Sequence, residues 1–185
     1  MNPVKYALCS TKMISIKPTR LHWIDDDGRD DPSDLCAHSP IELIVNGETI
    51  ISPSDGDWAV NASTTILLRS LYKDHISGKD EEHVFPCCGH GMFLDDQNKL
   101  IITGCPEGVD FDILHKKEEV ELKFSDNSFR IPFDDWKNAV LEFAIVVLNF
   151  YNYSSKKEID DKYDKEAYEK MRAEWNELLS RTKGG

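Results

Sequence analysis

The sequence predicts an α+β fold in which an antiparallel β-meander packs against a long apolar helix and a second core helix. Three observations predict it. Apolar and charged residues alternate from Val109 to Phe133, apolar residues recur at helical spacing from Trp136 to Tyr151, and an Asn46-Gly47 dipeptide joins two short extended segments. A chain of 185 residues with 40% hydrophobic content supports one sizeable core and is short for two. The expected organisation is a single domain over 1–153 followed by a charged amphipathic helix over 154–185.

Met13 to Lys17 and Leu21 to Ile24 read as short strands. Ile41 to Val45 and Glu48 to Ile51 then flank Asn46-Gly47, which accepts positive φ at both central positions of a type I′ hairpin turn. Beyond Asp55 and Asp57, Val60, Leu67, Leu68 and Leu71 share one helical face, and the pattern runs to His75 before Ser77-Gly78. This is the second core helix.

The meander is the most sharply specified element. With two-residue turns at Lys116-Lys117 and Asp126-Asn127, Ile113 falls opposite Val120 and Leu122 opposite Ile131. Val109, Phe111, Ile113, Val120, Leu122, Phe124, Phe129, Ile131 and Phe133 then share one face. The other face carries Asp110, Asp112, Glu119, Glu121, Lys123 and Arg130 and should be wet, with Asp112 directly opposite Glu121. A hairpin of Gly91 to Leu94 with Leu100 to Thr103 should extend the same sheet. Asp134 or Asp135 is placed to cap the following helix, which is apolar over most of its circumference and reads as the most buried element. After Ser154-Ser155, Ala167 or Tyr168, Met171, Trp175 and Leu178 form one apolar stripe on a charged helix, suited to packing on the body or on another chain.

The net charge of −12 lies wholly before residue 154, since 156–183 balances its Lys and Arg against Asp and Glu. Nucleic-acid contact needs a basic footprint, so a nucleic-acid-binding body is excluded. A basic protein partner remains compatible. The start of the sequence shows no signal-peptide pattern, and the run from Ala139 to Phe150 is too short to cross a bilayer, so a cytoplasmic location without membrane attachment is expected.

Asp25, Asp26, Asp27, Asp30, Asp31 and Asp34 crowd a Gly- and Pro-containing loop. An EF-hand would need its glycine later and a glutamate where Cys36 stands, so the loop reads as a solvated acidic surface. The five cysteines include Cys87 and Cys88 beside His90, with Cys105 downstream and Cys36 and His38 upstream. Zinc favours such donors, but the spacing is not Cys-x₂-Cys, and strand alternation separates Cys87 and Cys105 from Cys88 and His90. Buried thiols, a zinc site on Cys87, Cys88, His90, Cys105, Cys36 and His38, and a Cys87–Cys105 redox pair are the readings open here. No phosphate loop, dinucleotide fingerprint or metalloprotease motif occurs.

The run HVFPCCGHGMF, LIITGCPEGVDFDILH, VELKF and FRIPFDDWKNAVLEFAIVVLNFY resembles a family of uncharacterised bacterial proteins. Its strand, strand and Phe-Asp-Asp-Trp-led helix also resemble small immunity proteins of bacterial toxin systems. The resemblance spans Trp58 to Tyr153. It implies a toxin-neutralising or other protein-binding role and carries over no catalytic residue. The expected function is therefore non-catalytic binding of a basic protein such as a toxin. Asp110, Asp112, Glu119, Glu121 and the aspartates of the 25–34 loop are the candidate contact residues, no cofactor is expected, and a zinc-stabilised protein or a thiol enzyme is the alternative.

Overall fold

The computed structural model describes residues 12–24, 29–79, 82–88, 91–103 and 107–183. Over these residues it has an α+β fold, with three helices and several small antiparallel sheets around one continuous apolar core.

Alternation builds the first sheet. In β1 (Ile14–Pro18) and β4 (Ile41–Val45), Ile14, Ile16, Ile41, Leu43 and Val45 point inward, and the residues between them turn outward. β1 pairs with β4, and β4 pairs with β5 (Glu48–Ile51). The β4–β5 turn takes φ of 52° at Asn46 and 82° at Gly47, as the dipeptide predicts. A bulge follows, for Ile44 lies opposite Thr49 but Leu43 lies opposite Ile51. A second sheet joins β2 (His22–Trp23), β3 (Ala37–Ser39) and β6 (Trp58–Ala59), and β6 runs directly into α1 (Val60–Arg69).

α1 is the centre of the molecule. Every residue from Val60 to Leu68 is buried, polar ones included. The hydroxyls of Ser63, Thr64 and Thr65 donate to the carbonyls four residues earlier, at 3.0, 2.6 and 3.1 Å, so they enter the core already satisfied. The helix stops at Arg69, short of the predicted end. His75 instead exchanges backbone hydrogen bonds with Ile113, at 3.0 and 2.8 Å, pinning this segment to the meander.

β7 (Phe85–Pro86) pairs with β10 (Gly108–Val109), while β8 (Gly91–Leu94) and β9 (Leu100–Thr103) form the expected hairpin in the expected register. That hairpin is a separate two-stranded sheet and does not extend the meander. The meander itself comprises β11 (Asp112–Lys116), β12 (Glu119–Lys123) and β13 (Ser128–Pro132). Its register differs from expectation by two residues at each turn. Ile113 faces Leu122, and Leu122 faces Phe129. The turns are therefore Lys117-Glu118, with Lys117 at φ 59°, and Ser125-Asp126. A slip of two residues leaves every side chain on its original face. Phe111, Ile113, Val120, Leu122 and Ile131 are fully buried, and Val109, Phe124, Phe129 and Phe133 pack against them half-buried.

α2 (Phe133–Tyr153) starts without a side-chain cap. Asp134 and Asp135 lie inside its first turn, where a carboxylate favours the helix dipole but caps no N–H. α2 packs on β1 and α1 as well as on β12 and β13. Its outer side shows Glu142, Ile145 and Val146, so it is less buried than α1. α3 (Lys162–Lys183) is capped by Asp161, whose Oδ1 accepts the N–H groups of Tyr163 and Asp164 at 2.8 and 3.0 Å. Its stripe of Ala167, Met171, Trp175, Leu178 and Leu179 is buried in contact with α1 and the β8–β9 hairpin. Trp175 Nε1 donates to Thr65 Oγ1 at 2.8 Å, joining α3 to α1 through the core. No helix among the described residues is long and apolar enough to cross a membrane.

Candidate functional site

The acidic residues picked out by the sequence divide into three environments. Asp110 is not on a wet face. Its side chain is 10% exposed, and its Oδ1 accepts from His75 Nε2 at 2.8 Å and from the Val84 N–H at 3.1 Å. Its Oδ2 accepts from the Gly78 N–H at 3.3 Å. Burial alone would raise this carboxyl, but the hydrogen bonds from His75 and Ser77, the His75 charge and the Val84 N–H outweigh it and bring it down to about 2. Asp110 is thus a structural clasp between the 75–84 segment and the start of the meander. Ser77 N–H also donates to Asp112 Oδ1 at 2.9 Å, which makes Asp112 part of the same junction.

The outer meander face is acidic but neutralised. The corrected register sets Asp112 opposite Lys123, and Glu121 opposite Leu114 on one side and Arg130 on the other. The like-charge Asp112–Glu121 pair therefore does not form. Glu121 instead lies 3.4 Å from Arg130 Nε and 3.8 Å from Lys116 Nζ. Glu119 is exposed, opposite Lys116 and Pro132.

The third environment is the 25–34 loop. Asp25, Asp26 and Asp27 lie outside the described residues. Asp30 is exposed, and accepts from Lys157 Nζ at 2.8 Å and from the Ser155 N–H. Burial opposes its charge, but Lys157 and Ser155 hold the carboxyl below its usual range. The side chain of Lys157 is itself 3% exposed, with Nζ 3.4 Å from the centroid of Trp23 and 2.9 Å from the Asp31 carbonyl. Asp31 Oδ1 accepts from the Ser33 N–H and hydroxyl, at 2.7 and 2.6 Å, and these bonds keep its carboxyl ionised below the usual range. Asp34 holds the Ile24 and Cys36 N–H groups at 2.8 and 2.9 Å.

These contacts shape a concavity of about 500 Å³ lined by Asp31, Asp34 and Asp164 around Ile24, Leu35, Cys36 and Met92. Its floor is rigid. The Tyr151 hydroxyl, on α2, donates to the Leu35 carbonyl at 2.9 Å and receives the Ala37 N–H at 3.1 Å. Burial pushes that hydroxyl well above its ordinary range and keeps the proton available for the bond. Ile24 stands at the rim, 53% exposed. No lysine or arginine lines this groove among the described residues. Sequence reasoning found Asp31 and Asp34 but missed Asp164 and Met92, which reach the groove from α3 and β8 and carry no local signal of it.

The sulfur cluster also separates. Cys87 is disulfide-bonded, so it offers neither a thiolate nucleophile nor a metal ligand. Cys36 and Cys88 are in no disulfide, and Cys105 and His90 lie outside the described residues. Cys36 Sγ donates to Asn61 Oδ1 at 3.5 Å. His38 lies close by, yet its ring nitrogens contact the backbone carbonyls of Cys36 and Cys87 at 3.1 and 3.3 Å. No bond joins its ring to the Cys36 sulfur, so the two form no thiolate–imidazole pair. Among the described residues, no three of His, Cys, Asp and Glu gather where a metal ion could be held. Comparison with protein-family models, with curated proteins and with solved structures finds no match to the chain.

Proposed function

We propose that the chain is a non-catalytic binding protein, inhibitory or immunity-like, that receives a cationic side chain of a basic partner protein in the acidic groove. The observation that carries the reading is the groove's composition, with Asp31, Asp34 and Asp164 set around apolar Ile24, Leu35 and Met92. Such a wall suits the two halves of an arginine or lysine side chain, an apolar stem and a charged head. The chain's net charge of −12 would speed encounter with a basic partner. The acidic meander face, paired within itself, is a weaker contact surface than its sequence implied. The resemblance to immunity proteins is in keeping with this role.

The test is calorimetric titration of the chain with the product of each gene adjacent to its own, at low and at physiological salt. A Lys- or Arg-rich protein should bind, more weakly as salt rises, and Asp164→Lys should weaken it by about tenfold or more. Ile24→Asp should weaken it as well, by removing the apolar rim. A partner held equally well by both variants would place the contact elsewhere. Turnover of a substrate in the absence of any binding partner would remove the binding role altogether.

A further inference from the structure

We propose that a second concavity, between α1, the β8–β9 hairpin and α3, is a binding site for a nucleoside phosphate. Its charge runs against that of the molecule. Arg69, Lys73, Lys99, Lys170 and Arg181 face a groove of about 480 Å³ to which, among the described residues, two carboxylates contribute, Glu174 and Glu177. One of these is already consumed. Arg69 holds Glu174 through both oxygens, at 2.6 and 2.9 Å, and donates to the Leu100 carbonyl at 2.9 Å, which fixes the wall without using Lys73, Lys170 or Arg181. Lys73 and Lys170 pair with no carboxylate among the described residues. A chain with a net charge of −12 repels polyanions overall, so general adsorption would not account for binding at this groove.

The cations alone would suit any polyanion, and a neighbouring feature narrows the class. The Arg181 guanidinium lies 4.0 Å from the centroid of the Tyr72 ring, which is 38% exposed and anchored by its hydroxyl to the Leu178 carbonyl at 3.0 Å. A recess of about 130 Å³ that shares Arg181 with the groove is lined also by Leu71, Tyr72, Phe133, Lys137 and Thr182. That is of the order of one heteroaromatic base, bounded by an aromatic ring and a guanidinium on which such a base stacks. Phosphates over Lys73, Lys170 and Arg181, with the base in the recess, use both features at once. The site differs from a phosphate loop in supplying charge from side chains instead of backbone N–H groups. Its affinity should therefore fall steeply with salt. It shares no lining residue with the acidic groove, so either site can fail without the other.

The experiment is isothermal titration of the full chain with ATP, AMP and inorganic pyrophosphate, without divalent cations, at low and at physiological ionic strength. ATP should bind one to one, and pyrophosphate about tenfold more weakly for want of a base. Lys73→Glu and Lys170→Glu, both surface changes, should each weaken ATP by about fivefold or more. Tyr72→Leu should weaken ATP while leaving pyrophosphate unchanged, with thermal melting used to confirm that each variant is folded. Three results would overturn the proposal: no ATP binding at millimolar concentration in low salt, pyrophosphate binding as tightly as ATP, or ATP binding unchanged in a folded Lys170→Glu variant.

Discussion

Asp110→Asn is the substitution that most directly tests how the 75–84 segment is held. The carboxylate receives His75 Nε2 at 2.8 Å and two backbone N–H groups at 3.1 and 3.3 Å, with its side chain 10% exposed. An amide of the same shape offers one acceptor oxygen to these converging donors and turns an NH₂ group towards the rest. The carboxyl falls from an ordinary 3.8 to about 2 on folding, which corresponds to about 2 kcal/mol at neutral pH. Because the folded value is depressed, this stability is present above the unfolded value and is lost as pH falls from about 4 towards about 2. Near pH 3 about half of it should remain. Urea unfolding of wild type and variant should therefore show a gap of about 2 kcal/mol at neutral pH that narrows to roughly half near pH 3. A gap of constant size across that range would mean that the charge of Asp110 is not what closes the clasp. No gap at all would mean that the three hydrogen bonds are replaced by water without loss.

Three further substitutions probe the rest of the fold. Phe111→Asp places a carboxylate at a site 1% exposed, 4.5 Å from the Phe124 ring centroid and 6.2 Å from that of Phe85, and should abolish the cooperative thermal transition. Lys157→Met removes the cation between Trp23, Asp30 and the Asp31 carbonyl; a loss of about 2 kcal/mol and a change in tryptophan fluorescence should follow, and an unchanged urea midpoint would show the segment between α2 and α3 to be loosely held. Glu121→Lys sets a third cation between Lys116 and Arg130 and should lower stability by about 1 kcal/mol or less. Had Glu121 faced Asp112, the same change would raise stability, so the sign of the shift decides the register.

The elements legible in the sequence were those written in periodicity. The Asn46-Gly47 hairpin, the β8–β9 hairpin and the buried face of the meander all follow from alternation and turn chemistry. The meander register did not follow, because Lys116-Lys117 and Lys117-Glu118 are equally plausible turns and both keep the apolar face inside. Parity is fixed by burial; the choice within a parity is made by turn geometry and cross-strand pairs, which are weaker. α1 was undervalued for a different reason. Asn61, Ser63, Thr64 and Thr65 look like a wet face, and only hydrogen bonds back to the preceding turn let three of them into the core. The candidate grooves were the least legible, since each gathers residues from three or more distant segments. Acidity along the chain drew attention to Asp110, Asp112 and Glu121, whose partners sit across strands or in the 75–84 segment.

α3 contributes to both grooves, carrying Asp164 at its start and Lys170 and Arg181 further along. Part of that order has a helical cause. A carboxylate in the first turn and a cation near the last are each favoured by the dipole, by about 0.3–1 kcal/mol, so Asp164 and Arg181 would suit α3 in the absence of any ligand. The effect fades within one turn of each end, and Lys170 lies two turns inside the helix. Lys73 is not on α3 at all, yet lines the same groove. Helix stability therefore explains the charges at the two ends and leaves Lys73 and Lys170 unexplained. Those two lysines are the informative pair: reversing either should leave the melting temperature nearly unchanged, since neither is buried nor ion-paired among the described residues. A large fall in melting temperature on Lys170→Glu would assign the lysine to the fold and take it out of the groove's chemistry.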